Sequence, residues 1–199
     1  RMRVIALNPG STSTKIGLFE DETPLFTDKV VHERKNLSGS ISEQLEFRLG
    51  VVKDVLSKRN VLISEVDAVA ARGGLLYPMP GGTYRVTERM LKDLKEGVMG
   101  EHASNLGGLM AHELTRDTDV PAFIVDPVVV DEMEPVAKVT GVPEIRRNSI
   151  FHALNQKAAA RKAAEKMGKS YGEANFIVAH LGGGISVGAH RRGRVIDVN

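Results

Sequence analysis

The stretch Asn8-Pro9-Gly10-Ser11-Thr12-Ser13-Thr14-Lys15 concentrates groups that can hold an anion, between the apolar runs Val4–Leu7 and Ile16–Phe19. Gly10 allows backbone angles that other residues resist, and four short hydroxyl side chains can converge with backbone N–H groups on phosphate oxygens. Lys15 supplies a positive charge. The spacing is not that of a Walker A loop, because no Gly-Lys-Ser/Thr follows and the next run reads as a strand. The same residues could also close a hairpin that binds nothing. Residue type alone leaves both readings open.

Three further places put reactive side chains where strands end, and a fourth lies just ahead of a helix. Arg72 precedes Gly73-Gly74 at the end of the apolar run 66–71, and a flat guanidinium there suits a bidentate grip on a carboxylate. Asp126 closes the run Ala122–Val125 just before Pro127, placed to hold a metal through water or to orient a substrate. The alternative for Asp126 is a turn former ahead of proline. His180 stands before Gly182-Gly183-Gly184, and His102 lies in Gly100-Glu101-His102-Ala103-Ser104-Asn105. His152 reads as structural, and His32, His112 and His190 carry no legible signal.

The positioning elements follow from periodicity. The opening stretch reads as a hairpin, followed by a polar connector. Ser40 with Glu43 is a capping box ahead of a helix carrying Ile41, Leu45, Leu49, Val52 and Leu56 on one face. A strand follows over 66–71, then an irregular Pro- and Gly-rich loop over 75–84. Thr87 opens a short helix. Another helix places Leu106, Leu109, Met110 and Leu114 together, and a strand spans Ala122–Val125. The broken segment 128–142 reads as a domain junction, and Ser149 is expected to open a helix running to Met167. Three strands are predicted over 176–181, 185–189 and 194–198. Shifting the numbering by 172 lays Asn8 on His180, Gly10 on Gly182 and Thr14 on Ser186, which suggests two related hairpins in two related domains.

Composition bounds the class. The 199 residues are 42% apolar and 26% charged, as in soluble globular proteins, and contain no cysteine, which removes disulfides, zinc-thiolate sites and thiol catalysis. A net charge of +2 with scattered basic residues gives no support to nucleic-acid binding. No apolar run approaches the length of a signal-peptide core or a membrane span, so a cytoplasmic location without membrane association is expected. Arg1 ahead of Met2 reads as a cloning or processing remnant.

Taken together and in order, the stretches 8–15, 72–74, 100–107, 125–132, 149–157 and 180–184 resemble the acetate and butyrate kinase family, and within it the butyrate kinase branch. The family lies in the actin, sugar-kinase and Hsp70 ATPase superfamily. The resemblance implies an α/β fold of two ribonuclease H-like domains with mixed sheets. Residues 1–140 would form an acceptor and phosphate-loop domain, and residues 141–199 the beginning of a nucleotide-binding domain that is incomplete here. The chain is accordingly expected to be the N-terminal portion of a longer protein, with the adenosine site beyond Asn199.

The implied activity is reversible transfer of the ATP γ-phosphoryl group to a short-chain carboxylate, giving an acyl phosphate and ADP, with Mg²⁺, across a cleft between the domains. The resemblance casts Arg72, Asp126 and His180 as catalytic. It assigns Asn8, Ser11, Ser13, Lys15, Gly182, Gly183 and Gly184 to the nucleotide phosphates, Arg72 and His102 to the carboxylate, and Asn8 and Asp126 to the metal. A homo-oligomer is expected, of open order. The chain departs from acetate kinases at one point: they carry His-Arg-Val-Val-His-Gly-Gly, and alignment on Gly73-Gly74 puts Arg72 where their second histidine stands. Acetate or propionate kinase, and an ATP-binding module without an acyl acceptor, are the competing readings.

Overall fold

The computed structural model describes residues 1–199, apart from the side chain of Ser42. The chain divides into two compact units, the first comprising 1–76 and 83–125 and the second 77–82 and 126–199. Among the described residues, no helix is long and apolar enough to cross a membrane.

The first unit is built on a six-stranded mixed sheet. Its strands are β1 (Arg3–Pro9), β2 (Ser13–Glu20), β3 (Thr23–Val31), β4 (Ala68–Arg72), β5 (Thr83–Arg85) and β6 (Ala122–Val125), in the spatial order β3-β2-β1-β4-β6-β5. The first three form an antiparallel meander, β1, β4 and β6 run parallel, and β5 returns antiparallel at the edge. One face is closed by apolar side chains: Ile5, Leu7, Ile16, Val69 and Ile124 are all buried. Helices α1 (Ile41–Lys58), α2 (Glu88–Glu96) and α3 (Leu106–Thr115) belong to this unit, with α3 packed on β1, β4 and β6 and touching both other helices. The expected capping box at Ser40 is present in both directions, and the Thr87 hydroxyl accepts from the Met90 N–H as a helix cap.

The structure departs from the sequence-based expectation at β3 and at the start of the helix read from Ser149. The supposed polar connector after the hairpin is strand β3, paired with β2 along its length. As an edge strand it is half solvated, so charged and polar residues dilute the alternation that marks a strand, and Pro24 near its start hides it further. Ser149 does not open a helix. It is buried and its hydroxyl donates to the Val130 carbonyl, while α4 (Ala153–Lys166) begins four residues later with His152 at its N-cap.

The second unit holds α4 and the antiparallel sheet of β7 (Asn175–Leu181), β8 (Ile185–Arg191) and β9 (Arg194–Val198). Its core gathers Val130, Met133, Phe151, Ala153, Val195 and Val198. The proposed hairpin repeat is close but not register-perfect: Asn8 pairs with Lys15, whereas His180 pairs with Ser186 and not Val187, so the second turn is one residue shorter.

A buried ion pair ties this unit together. Lys157 on α4 places Nζ 2.9 Å and 3.0 Å from the two carboxylate oxygens of Glu132. The same carboxylate accepts from the backbone N–H groups of Gly81 and Val195. Burial would raise the Glu132 pKa, but the Val195 N–H, Lys157 and the Gly81 N–H together hold it below the ordinary carboxylate value. Removing one partner strands the other charge. Glu132→Ala is therefore expected to lower the unfolding free energy by about 3–5 kcal/mol in urea titrations, with Glu132→Ala/Lys157→Met recovering part of the loss. A loss under about 1 kcal/mol would show that the pair is not structural.

Candidate functional site

In the first unit the sheet register assembles a row of polar groups. Lys15 lies directly opposite Asn8, and both are exposed on the face that α3 leaves uncovered. In the parallel β1–β4 pair Leu7 meets Ala71, and both are buried, so the next residues, Asn8 and Arg72, continue on the opposite face at the same level. Lys15, Asn8 and Arg72 thus come from three neighbouring strands. Lys29 of β3 extends the row, standing opposite Lys15. Like charges facing each other across strands destabilise a sheet, and an anion bound above them relieves that repulsion. No local pattern singles out Lys29, because strand β3 is itself hidden in the sequence.

The turn that closes β1 and β2 is held from below. The Gly10 N–H donates to the Ser13 carbonyl, and the His32 N–H donates to the Thr12 carbonyl. Arg48 on α1 is fully buried, and its guanidinium donates to the Ser13 carbonyl, the Thr14 hydroxyl and the Gln44 side-chain carbonyl. Thr14 is buried as well, 2.8 Å from His32 Nε2. Of the four hydroxyls read as possible anion donors, Thr14 therefore faces inward onto Arg48 and His32. Ser11 is exposed and Ser13 half-buried. Burial first, then the charge of Arg48, lowers the His32 pKa, so the ring is neutral at pH 7.

Arg72 is half-buried, and desolvation lowers its pKa from the ordinary guanidinium value. His102 feels both burial and the Arg72 charge, which lower its pKa in that order. Its Nδ1 accepts from the Ser104 N–H, a group that can only donate, so the neutral ring carries its proton on Nε2. This pairing requires close approach. A Cβ on Gly107, at the start of α3, would stand 2.1 Å from the Arg72 carbonyl oxygen, so only glycine lets the helix pack there. Buried Asn105 accepts from the Leu75 N–H and donates to the Gly100 carbonyl, locking the chain after Arg72 onto the His102 segment.

In the second unit Asp126 has φ of 37°, an uncommon left-handed conformation for a non-glycine residue. It is 2% exposed. Its N–H donates to the Gly82 carbonyl, Oδ1 accepts from the Gly82 N–H at 2.8 Å, and Oδ2 is 3.4 Å from Arg161. Strain of this kind persists where surrounding structure holds it, often at functional positions. Arg161 also lies over the Tyr171 ring and was not legible as a site neighbour. Among the described residues there is no cluster of three or more metal-ligating side chains.

His180 lies at the end of β7 beside the glycine turn, with its ring stacked on His152 at 3.7 Å and 7°. Its Nδ1 is 2.8 Å from Asn155 Nδ2. A Cβ on Gly184 would stand 3.0 Å from the His152 ring, so a side chain there would push the ring by a few tenths of an ångström. His152, read from sequence as structural, is thus in contact with the histidine assigned to the site. Behind it runs a hydrogen-bonded chain through Ser186, Gln156 and His190 to Tyr171.

No protein-family model matches the chain. Its fold is shared with solved acetate and propionate kinases. An acetate kinase from Porphyromonas gingivalis superposes with a TM-score of 0.71 at 23% identity, covering 100% of this chain and 57% of the other. A propionate kinase from Francisella tularensis gives 0.69 at 20% identity, covering 100% and 57%. An acetate kinase from Entamoeba histolytica gives 0.63 at 13% identity, covering 98% and 54%. The chain therefore spans somewhat over half the length of these structures. The expected α/β class is what the structure has, in the fold of these acetate and propionate kinases; of the two sheets the first unit's is mixed as expected, whereas the second unit's three strands are all antiparallel.

Burial first, then the Lys157 charge, takes the His190 pKa down to about 4, against an opposing contribution from Glu132. The unfolded chain binds this proton near pH 6.5 and the folded one resists it, so stability is complete above pH 6.5 and lost as pH falls towards 4. Urea unfolding between pH 6.5 and 4.5 is expected to show a His190→Asn variant with a slope shallower by about 1.4 kcal/mol per pH unit. Equal slopes would place the acid sensitivity elsewhere.

Proposed function

We propose that this chain carries the acceptor and phosphate-binding groups of a carboxylate kinase, one that moves the γ-phosphoryl group of ATP to butyrate or a branched relative in the cytoplasm. The observation that carries the reading is the row formed by Lys15, Asn8 and Arg72 on one sheet face, with neutral His102 beside Arg72. Two anions must meet for this reaction, so cations and donors are needed around both, with little covalent work for the protein.

In this reading Arg72 grips the acceptor carboxylate, and the His102 Nε2–H orients it. A carboxylate oxygen attacks the γ-phosphorus, the bond to the bridging oxygen breaks, and that oxygen leaves with its electron pair on ADP. Lys15, Asn8 and the hydroxyls of Ser11 and Ser13 hold phosphate oxygens. His180 and the Gly182–Gly184 turn offer donors to the equatorial oxygens, where charge is greatest in the transition state. Both Asp126 oxygens already have partners, so an all-protein metal cage does not fit. Asp126 in the second unit and Asn8 in the first are the residues that would each hold a nucleotide-borne Mg²⁺ through water, and the ion would neutralise charge on the phosphates.

Likeness to acetate and propionate kinases supports the reaction class through the fold they share. The placement of Arg72 directly before Gly73-Gly74, where acetate kinases have histidine, favours a longer acyl chain. Kinetics in the full-length protein test this. Arg72→Ala is expected to lower kcat/KM for butyrate by at least about 10³-fold while leaving KM for ATP within about threefold, the pattern of a lost charged contact to the acceptor. A near-normal kcat/KM would remove Arg72 from the site, and a higher kcat/KM with acetate than with butyrate or isobutyrate would overturn the chain-length assignment.

A further inference from the structure

Two stacked imidazoles stand at the glycine turn of the second unit, and the groups around them decide where their protons sit. The side-chain amide of Asn155, in the first turn of α4, places Nδ2 at 2.8 Å from His180 Nδ1. An NH₂ group only donates, so Nδ1 must accept, and the single proton of the neutral ring lies on Nε2. That edge faces the turn: a Cβ on Gly182 would stand 3.4 Å from His180 Nε2.

The ring behind it is set the same way. Ser186 Oγ accepts from Gln156 Nε2 at 2.9 Å and from the His152 N–H at 3.3 Å, so its own proton goes to His152 Nδ1 at 2.8 Å. Gln156 is oriented in turn by His190, whose Nε2–H donates to Gln156 Oε1 while its Nδ1 accepts from the Tyr171 hydroxyl.

We propose that Asn155 is a positioning residue that fixes His180 as an Nε2–H donor aimed at phosphoryl oxygens at the Gly182–Gly184 turn. This rests on the carboxylate-kinase reading for the identity of the anion, but the proton position does not. The amide holds the ring without adding charge, which a carboxylate in its place would do. A carboxylate only accepts, so it pulls the proton to Nδ1 and turns the acceptor edge to the phosphate.

The test is imidazole ¹⁵N NMR on the full-length protein at pH 7.5, with His180 signals identified by their loss in His180→Gln, alongside steady-state kinetics. In the native protein His180 Nε2 is expected to be protonated and Nδ1 not. In Asn155→Asp, Nδ1 becomes protonated, and kcat falls about 10–100-fold with KM for ATP and carboxylate within about threefold, the size seen when the partner orienting a functional histidine is lost. In Asn155→Leu both tautomers appear, with a smaller fall in kcat. A native His180 protonated at Nδ1, or one tautomer unchanged across all three proteins, overturns the proposal. So does the expected NMR pattern with an undiminished kcat in Asn155→Asp. A native protein with the Nε2–H signature and no acyl phosphate formation instead overturns the kinase reading and leaves the proton assignment standing.

Discussion

Register in the six-stranded sheet is the constraint on which the first unit's site depends. A strand presents alternate residues to opposite faces, so a slip of one position in the β1–β2 pair would turn Lys15 inward and Thr14 outward. The apolar face forbids that slip, because the β2 side chains Ile16 and Leu18 would lose their burial together. The core thereby decides which side chains form the polar row. The same rule carries the row across β4, where buried Ala71 leaves Arg72 on the open face.

Buried polar groups do the finer positioning, and they are held almost completely. Arg48 reaches three acceptors beneath the turn between β1 and β2, and only its Nε lacks a partner among the described residues. An unmade hydrogen bond in the interior is costly, so each such donor holds its neighbour in one place. In the second unit the chain from Tyr171 to Ser186 runs in one direction because neutral His190 can donate from only one nitrogen. Direction matters for chemistry. A donor edge and an acceptor edge of the same ring have opposite effects on an approaching phosphate.

Much of this was legible in the residues. The opening hairpin, the Ser40 capping box, the strand Ala122–Val125 and the paired strands around the triple glycine all follow from period, caps and turn formers. Strand β3 was hidden by its edge position, and the late start of α4 by a serine that bonds the Val130 carbonyl. The roles of Arg48, His32, His190 and Asn155 were invisible for a different reason. Each depends on partners between 18 and 35 residues away, and no local pattern encodes such pairings. Asn8, Lys15 and Arg72 could be named as candidates from sequence, whereas their alignment in a single row is a property of strand pairing.

The role proposed for the row of Lys15, Asn8 and Arg72 is phosphoryl transfer to a carboxylate. The most direct measurement traps the product: full-length protein, ATP, Mg²⁺ and hydroxylamine, with acetate, propionate, butyrate and isobutyrate supplied in turn. Formation of acyl hydroxamate that requires both ATP and the acid, and that is greatest with butyrate or isobutyrate, is the predicted result. ATP binding or hydrolysis with no hydroxamate from any of the four acids would contradict the account.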